Sequence, residues 1–548
     1  MHAAKPFTAA AVPTEGIGMA ALDLIITNGM IVDGTGAAPY PGSVAIAGDR
    51  IAAIGSQPFG AAAASVIDAR GGLICPGFID IHTHSDVSAV SHPCCASKIH
   101  QGVTTEVVGN CGFSAFPLNS TYKQHHADLL RMIGRVDTAL DWCDLDGFAA
   151  VVQNARPALN VAPLVGHGTL RIAAGVDSAT VVSDEDRERM RALLTRCFEQ
   201  GAFGFTTGLT YVPSCLAGPT EIAELVGLTA AFDRLYATHA RGTLGELGAI
   251  EEAAGVGAQT GVRLQYSHLA INQPANWGSA DRVLGLFHAF RRRDIDVAFD
   301  VYPYDASSSA LTQHLPAWVQ QGGVAQMRER LRDTSDRKRV LRDLAHDWWD
   351  ETPWMWERFV ISAAPGGGEL IGRSIEALAA DAHVSGEEMV VRLCAEFGNE
   401  VHIVLHYRQE RDVIAFINDD LASVGSDGLA LPASEDLGRP HPRSFGCFPR
   451  VLGRFVRDLS VVPLTGAIGK MTSAPADRLK LRDRGRLKPG YFADVLVIDP
   501  ERVADRATYV APIALAVGVD TVVVNGAITI RDGKETGARA GRLLRYAA

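Results

Sequence analysis

The sequence predicts an α/β fold, namely a TIM-like (β/α)8 barrel with a small β-sandwich formed by both termini and an insertion between strands seven and eight. Eight apolar segments in the middle of the chain alternate with helix-like segments such as "DEDRERMRALLTRCFEQ". Strand–helix alternation over about 400 residues is typical of a parallel sheet. Eight such strands are the number that closes a barrel. The two ends carry short alternating strands, which favour a separate β unit.

The composition restricts the class of protein. The chain has 548 residues, of which 21% are charged and 47% hydrophobic, as in ordinary soluble enzymes. A net charge of −11 gives no basic surface, so we expect no nucleic-acid partner. No apolar run reaches the ~18 residues of a membrane span, so we expect no membrane partner. The nine Cys show no zinc-finger spacing and no disulfide framework, which predicts a reducing cytoplasm. The oligomeric state stays unknown.

The ends of the chain divide into three segments. Residues 1–20 are expected to form a loose N-terminal tail, since their composition makes a poor signal peptide. Residues 21–76 are expected to form the N-terminal part of the β-sandwich, with a hairpin signal at Asn28-Gly29. Residues 481–548 are expected to complete the sandwich, with a similar signal at Asn525-Gly526.

Residues 77–480 are predicted to form the barrel. Its eight strands are assigned, in order, to "GFIDIHTHSD", "TTEVVGNC", "NVAPLVGHG", "FGFTTGLTY", "LYATHAR", "RLQYSHLA", "DVAFDVYPYD" and "ASVGSDGL". The stretch from about 306 to 418 is too long for one crossover. It contains a Trp-rich segment and a strand-like run, "VHIVLHY", so we interpret it as an insertion, for which a lid is one role.

Potential metal ligands occur at the ends of the predicted strands. His82 and His84 are two positions apart in a strand and therefore share one face. A lone buried His or Cys is usually structural, but in this architecture the C-terminal strand ends form the active site. Thiolate and imidazole are the preferred ligands of zinc, with carboxylate as a third choice. Five further strands end in such groups, at Cys111, His167, His239, His268 and Asp427.

Several of these motifs carry a family resemblance. "PGFIDIHTHSD" resembles the metal signature of the amidohydrolase superfamily. Other motifs resemble its N-acyl-D-amino-acid deacylase (D-aminoacylase) branch, namely "EVVGNCGFS", "TTGLTYVP", "ATHAR", "DVYPYDASS", "GSDG" and "HPRSFGCFPRVLG". The segment "GKMTSAPADRLKLRDRGRLKPGYFADVLVIDP" is similar to the closing part of the same branch. The resemblance extends from about residue 22 to residue 535 and is specific because the motifs keep their order and spacing.

The resemblance implies a Zn²⁺ centre with one firmly bound ion and a second, weaker one. A strand-1 His pair would serve the weaker position, and a Cys would follow strand 2 where other amidohydrolases rely on a carboxylated Lys. Two further His would complete the firm position, and an Asp would follow strand 8. The implied ligands are His82, His84, Cys111, His239, His268 and Asp427.

The resemblance also implies a substrate-binding set. In this branch the Arg of a His-Pro-Arg motif, here Arg443, grips the substrate carboxylate. Tyr and Ser side chains assist it, and Tyr211, Tyr302 and Ser309 match them. The assignment of the last two leaves their neighbours open, namely Tyr304, Ser307 and Ser308.

The predicted reaction follows from these groups. A zinc ion with an open position lowers the pKa of bound water to about 7, which makes hydroxide available as a nucleophile. Asp427 would act as general base and then as general acid toward the leaving amine, while the metal and Tyr211 stabilise the oxyanion. We therefore expect zinc-dependent hydrolysis of the amide bond of small N-acyl amino acids, in particular N-acyl-D-amino acids, which releases a carboxylic acid and a free amino acid.

Two alternatives remain open. One is another amidohydrolase acting on a cyclic or xenobiotic amide, although the fourth strand, "FGFTTGLTY", lacks the Lys of the carboxylated-Lys subtypes. The other is a scaffold protein that lost catalysis, which the complete ligand set disfavours. The branch commonly has a Lys two positions after the strand-6 His, where this chain has Ala270. His167 has two roles open, a direct one and a hydrogen-bonding one. The sequence leaves the acyl group, side chain and chirality of the substrate undetermined.

Overall fold

The fold is taken from a computed structural model, which describes residues 22–56, 59, 63–346, 353–434 and 437–547. The predicted N-terminal tail, residues 1–20, lies outside these ranges. None of the helices within them has the length and apolar character that a membrane crossing requires.

The described strands are numbered along the chain. They are β1 (Leu22–Ile31), β2 (Tyr40–Ala47), β3 (Arg50–Gly55), β4 (Ala63–Asp68), β5 (Leu73–Pro76), β6 (Phe78–Asp80), β7 (Val103–Val108), β8 (Asn160–Gly166), β9 (Gly204–Gly208), β10 (Leu235–His239), β11 (Arg263–Tyr266), β12 (Val297–Val301), β13 (Ser307–Ala310), β14 (Phe359–Ala363), β15 (His402–Leu405), β16 (Ala422–Val424), β17 (Val495–Ile498), β18 (Val519–Val524), β19 (Ala527–Arg531) and β20 (Lys534–Glu535).

The described α-helices are numbered in the same way. They are α1 (Ser88–Ser91), α2 (Ala96–Ile99), α3 (Lys123–Arg131), α4 (Leu145–Ala155), α5 (His167–Ala173), α6 (Asp184–Glu199), α7 (Pro219–Ala231), α8 (Gly245–Thr260), α9 (Ala280–Arg291), α10 (Ala317–Gln320), α11 (Val324–Arg332), α12 (Thr334–Leu344), α13 (Ile375–Asp381), α14 (Gly386–Phe397), α15 (Glu410–Asn418), α16 (Arg443–Arg450), α17 (Leu464–Met471) and α18 (Ser473–Leu479). A π-helix, Val451–Asp458, continues α16.

The predicted barrel is confirmed. Eight parallel strands form one sheet in the order β16-β12-β11-β10-β9-β8-β7-β6. Each of them lies in one of the eight predicted segments, except that β7 begins one residue earlier, at Val103. The predicted helix is α6, which begins at a capping box in which Ser183 and Asp186 exchange hydrogen bonds. Its buried side chains recur along one face, as in a helix that covers a sheet, and are Met190, Leu194, Cys197 and Phe198.

The barrel closes between β6 and β16 through the residues that follow these strands. The backbone N–H of Asp427 donates to the carbonyl of His82 at 2.7 Å, and the N–H of His84 donates to Gly428 at 2.9 Å. An isolated parallel bridge joins Thr83 to Gly428. The seam of the barrel is therefore made by the segments that carry the predicted ligands.

The two termini form a common β unit, as predicted. It is one hydrogen-bonded sheet of nine described strands, in which β17 pairs with β5 and so joins the C-terminal part to the N-terminal part. The predicted turn at Asn525-Gly526 connects β18 and β19. The predicted hairpin at Asn28-Gly29 is wrong, because these residues form a bulge inside β1, where Asn28 has φ 56° and the register with β2 shifts.

The insertion lies between β12 and β16, as expected. It contains a three-stranded antiparallel sheet, β13-β15-β14, in which β15 lies within the predicted run "VHIVLHY". Helices α10 to α14 cover a hydrophobic core of its own, which includes Leu331, Phe359, Ile361, Val390 and Ile403. Helix α15 instead packs against α9 and β16, where it takes the place of the seventh barrel helix.

Candidate metal centre and active site

The six predicted ligands meet at the C-terminal ends of the barrel strands. Cys111 follows β7, His239 ends β10, and Asp427 follows β16. Their ligand atoms form two groups, each within 4.8 Å, and Cys111 belongs to both. The first group consists of His82, His84, Cys111 and Asp427, and the second of Cys111, His239 and His268.

Direct contacts join the ligand atoms within these groups. The Nε2 atom of His82 lies 3.2 Å from the Cys111 sulfur, which lies 3.4 Å from Nε2 of His268. The Nε2 atom of His84 lies 2.9 Å from a carboxylate oxygen of Asp427. A proton can satisfy each of these contacts, and they bring nitrogen, sulfur and oxygen atoms close enough together to share a cation.

Asp300, in β12, orients the first histidine. Its carboxylate accepts a hydrogen bond from Nδ1 of His82 at 2.9 Å and another from the backbone N–H of His268 at 2.8 Å. In the neutral ring, donation from Nδ1 directs the Nε2 lone pair of His82 at Cys111, as in metal-binding histidines. Our sequence reasoning missed Asp300, although a carboxylate inside the apolar run "DVAFDV" was a usable signal.

The protonation states of the second ligand group, Cys111, His239 and His268, suit a cation. Burial raises the pKa of the Cys111 thiol to about 11, so its thiolate needs a compensating positive charge. Burial lowers the pKa of His268 to about 3 and holds the pKa of His239 well below its usual range. Both imidazoles are therefore neutral at pH 7 and keep a free lone pair. A thiolate, neutral imidazoles and a carboxylate fit Zn²⁺.

Three of the six residues have left-handed backbones. Cys111 has φ 54°, His268 has φ 37° and Asp427 has φ 51°. Non-glycine residues in this region cost about 1–3 kcal/mol each and persist where the surrounding structure holds them. Each follows the end of its strand, and the turn brings its side chain into the ligand cluster.

Arg443 connects the ligand cluster to the predicted substrate-binding set. It begins α16, is 5% exposed, and donates to Asp427 at 2.6 Å. Burial alone would raise the pKa of Asp427, but the Arg443 guanidinium and the His84 hydrogen bond outweigh it and hold that pKa well below its usual range. The guanidinium carbon also lies 4.8 Å from the centre of the Tyr302 ring. The predicted anchor and the predicted base are therefore direct neighbours.

Two cavities meet at this point. The larger, of about 480 Å³, is lined by His84 and Arg443 together with apolar side chains such as Met132 and Leu429. The smaller, of about 110 Å³, is lined by His239, His268 and Tyr302. Both are bordered by Tyr211, Ser308, Ser309 and Asp427. All ten predicted site residues thus lie in or beside one connected region.

The structure bears on the residues that the sequence left open. The Tyr302 ring faces the cluster, whereas Tyr304 packs against His441 and Arg450. The hydroxyl group of Tyr211 lies 3.3 Å from Nδ1 of His239. Ser307 borders the smaller cavity alone, whereas Ser308 and Ser309 border both.

His167 lies outside the metal cluster. Its Nε2 atom lies 2.7 Å from Glu221 and its Nδ1 atom 3.0 Å from the Ser214 hydroxyl. Glu221 also accepts from Arg171 at 2.6 Å. Both ring nitrogens are occupied, so the geometry places His167 in a hydrogen-bonding network and leaves no nitrogen for a metal.

A buried charged network supports the seam from below. The ammonium group of Lys98, fully buried, donates to Asp80 at 2.8 Å and to the Ser426 hydroxyl at 2.7 Å, and lies 3.0 Å from Glu106. Asp80 also accepts from the backbone N–H of Ser426 at 2.8 Å. These contacts fix the residue that precedes Asp427. Our sequence reasoning did not identify this network, because it joins residues far apart in the chain.

Comparisons with known proteins agree with this geometry. The Amidohydrolase family pattern matches residues 65–300 and 373–530. An N-acyl-D-glutamate deacylase of Alcaligenes xylosoxydans xylosoxydans is 35% identical over 525 residues, which cover 96% of each chain. The crystal structure of N-acyl-D-glutamate deacylase from Bordetella bronchiseptica, complexed with zinc and a phosphonate mimic of the tetrahedral intermediate, matches with a TM-score of 0.80 and 33% identity over 96% of this chain and 100% of the other.

A structure of D-aminoacylase matches equally well, with a TM-score of 0.80 and 34% identity over 96% of this chain and 100% of the other. That protein is described as having a binuclear metal centre, with one-metal activation and second-metal attenuation. The similarity to these relatives covers the barrel, the terminal sheet and the insertion alike. The chain therefore belongs to the amidohydrolase family, as a metal-dependent enzyme of its D-aminoacylase branch.

Proposed function

We propose that this enzyme hydrolyses the linear amide bond of N-acyl-D-amino acids and releases a carboxylic acid and a free D-amino acid, with Zn²⁺ as its metal. The observation that carries the proposal is the contact between Arg443 and Asp427 at 2.6 Å, because a guanidinium, which can bind a carboxylate, touches the candidate base inside the ligand cluster. The relatives named as N-acyl-D-glutamate deacylase and D-aminoacylase support the substrate class.

The ligand set supports one firm and one weaker metal position. Cys111, His239 and His268 would hold the firm ion, and His82 and His84 would hold the weaker one. The binuclear centre of D-aminoacylase, with one activating and one attenuating metal, supports this division. A zinc ion held here would supply Lewis acidity toward the amide carbonyl and would lower the pKa of water to about 7.

The protein groups around it would perform the remaining steps. Asp427 would accept a proton from the attacking water and deliver it to the amide nitrogen as the C–N bond breaks. The Tyr211 hydroxyl, which borders both cavities, would donate to the carbonyl oxygen as negative charge develops on it.

Substrate recognition would begin with an exchange of partners. Arg443 would bind the carboxylate next to the scissile amide in place of Asp427, and this exchange would free Asp427 for proton transfer. Tyr302, beneath the guanidinium, and Ser309, at the junction of the two cavities, would complete the carboxylate site. The larger cavity has room for an acyl chain beyond acetyl.

The test is a panel of N-acetyl-D- and N-acetyl-L-amino acids, assayed by release of free amine, with the zinc content measured on the same sample. We expect hydrolysis of the D series with zinc bound. Each D substrate is paired with its carboxamide, which lacks the charge that Arg443 would bind. Equal rates on acid and carboxamide, or activity on cyclic imides alone, would reject the proposal in favour of another amidohydrolase reaction.

A further inference from the structure

A second guanidinium reaches the active centre from the insertion. Arg408 lies just after β15, near the end of the insertion, and lines the smaller cavity. The same cavity is lined by His268, Tyr302, Ser309 and Asp427. A cation from a separate part of the fold is thus placed beside the groups that would bind substrate.

Two contacts hold Arg408 in this position. Its Nε donates to the side-chain oxygen of Asn272 at 3.0 Å, which ties the insertion to the segment after β11. Its guanidinium carbon lies 4.8 Å from the centre of the Tyr302 ring, and that of Arg443 lies at the same distance. Tyr302 therefore contacts two guanidinium groups, one from the insertion and one from α16.

The two arginines differ in their partners. Arg443 is paired with Asp427, whereas Arg408 has no carboxylate partner within the described part of the chain. The wall after β11 supplies no charge of its own at Ala270, whose short side chain borders the same cavity. The Arg408 side chain is half-buried and is held by the Asn272 amide and the Tyr302 ring. Because its outer N–H groups contact no carboxylate of the described residues, they are suited to bind an anion.

We propose that Arg408 is a substrate-binding residue that, together with Arg443, pairs with the α-carboxylate of the N-acyl amino acid. This inference rests on the proposed deacylase function. It gives the insertion a direct part in recognition, because one half of the carboxylate site belongs to the barrel and the other half to the insertion. It also accounts for the uncharged Ala270, because Arg408 supplies a cation to the cavity that both residues line.

The test compares Arg408→Ala with the parent on N-acetyl-D-leucine, its carboxamide and N-acetyl-D-glutamate. We expect kcat/KM for N-acetyl-D-leucine to fall about tenfold or more, mainly through KM, with the carboxamide little affected. The acid-to-carboxamide ratio is measured within one protein, so it does not depend on the fraction that is correctly folded. A loss confined to N-acetyl-D-glutamate would overturn the assignment to the α-carboxylate.

A second experiment asks whether a cation at another position of the cavity restores substrate recognition. Ala270→Lys in the Arg408→Ala background returns a cation to the same cavity, and we expect it to restore a large part of the acid-to-carboxamide ratio. Arg411→Ala is the matched control, because Arg411 is an exposed arginine that contacts the Trp277 carbonyl in the same region. It should leave the ratio unchanged.

The outcomes separate this inference from the proposed function. A parent enzyme that does not hydrolyse N-acetyl-D-amino acids overturns both. An active parent whose Arg408→Ala variant keeps the parental ratio overturns only the role of Arg408. If Arg408→Ala does not fold, Asn272→Ala, which removes one hold on Arg408, should raise KM for the acid and not for the carboxamide. An unchanged KM in that variant contradicts the inference.

Discussion

Replacement of Cys111 by alanine tests the metal centre most directly. The Cys111 sulfur is the one atom that both ligand groups share, so its loss removes a ligand from each position. Mutation of a residue that only orients a metal ligand typically lowers metal affinity 10–100-fold. We therefore expect Cys111→Ala to weaken zinc binding by more than a hundredfold and to abolish activity at stoichiometric zinc.

The same reasoning gives a stability readout. Zinc at a hundred times its dissociation constant stabilises a protein that binds it by about 2.7 kcal/mol. If Cys111→Ala raises that constant a hundredfold, the same zinc concentration stabilises the variant by only about 0.4 kcal/mol. Without zinc, the variant loses one buried sulfur, and we expect a change of about 1 kcal/mol, as for a small core truncation.

The assay combines denaturant midpoints with and without zinc, zinc content after gel filtration, and turnover. Cys75→Ala is the matched control, because Cys75 is also fully buried but lies in β5 of the terminal sheet. It should lose a similar amount of stability in the absence of metal and keep the full response to zinc. A Cys111→Ala protein that retains zinc and activity would show that the sulfur is not a ligand.

Three further changes test the other groups. Asp427→Asn preserves shape but removes the base, so turnover should fall about 10²-fold or more while zinc at the position of Cys111, His239 and His268 stays near the parental value. Asp300→Asn replaces the charged acceptor that fixes the His82 ring with a weaker, neutral amide oxygen, so zinc affinity should fall about 10–100-fold, as measured by competition with a chelator. Arg443→Lys keeps the charge but loses the planar fork, so kcat/KM for N-acyl amino acids should fall about tenfold, with little change for the carboxamides.

Each of these three predictions has a result that would contradict it. Near-normal turnover of Asp427→Asn would make Asp427 a structural residue of the strand-8 turn. Parental zinc affinity in Asp300→Asn would mean that the His82 ring is held by other contacts. An Arg443→Lys enzyme that loses equally on acids and carboxamides would indicate a general defect in the site instead of a lost carboxylate contact.

The barrel could be predicted from the sequence because its signals are local. Each barrel strand is a short apolar run, and six of the eight runs end in a group that can bind a metal, such as His239 or Asp427. The turn at Asn28-Gly29 was predicted wrongly because a left-handed Asn before Gly is compatible with both a hairpin and a bulge. The continuation of β1 on both sides, which depends on pairing with β4 and β5, decides between them.

The contacts that the sequence did not reveal are long-range ones. Asp300 was included in a predicted strand, but its bond to His82 joins residues 218 positions apart. Arg408 follows the strand-like run of the insertion and carries no motif, and its approach to Tyr302 depends on how the insertion packs on the barrel. Ligand identity could thus be read from residue type and position, whereas the residues that orient the ligands needed the fold.

The seam of the barrel links metal binding to closure of the fold. Strands β6 and β16 do not pair with each other, and the contacts between their following segments include those of His82 with Asp427 and of His84 with Gly428. Beneath them, Lys98 bonds to Ser426, which directly precedes the candidate base. A cation bound by His82, His84 and Asp427 would bridge the two sides of this seam. The left-handed backbone of Asp427 costs free energy, and binding of a cation across the seam would offset that cost. We therefore expect Asp427 and the end of β16 to be most tightly fixed when the metal is bound.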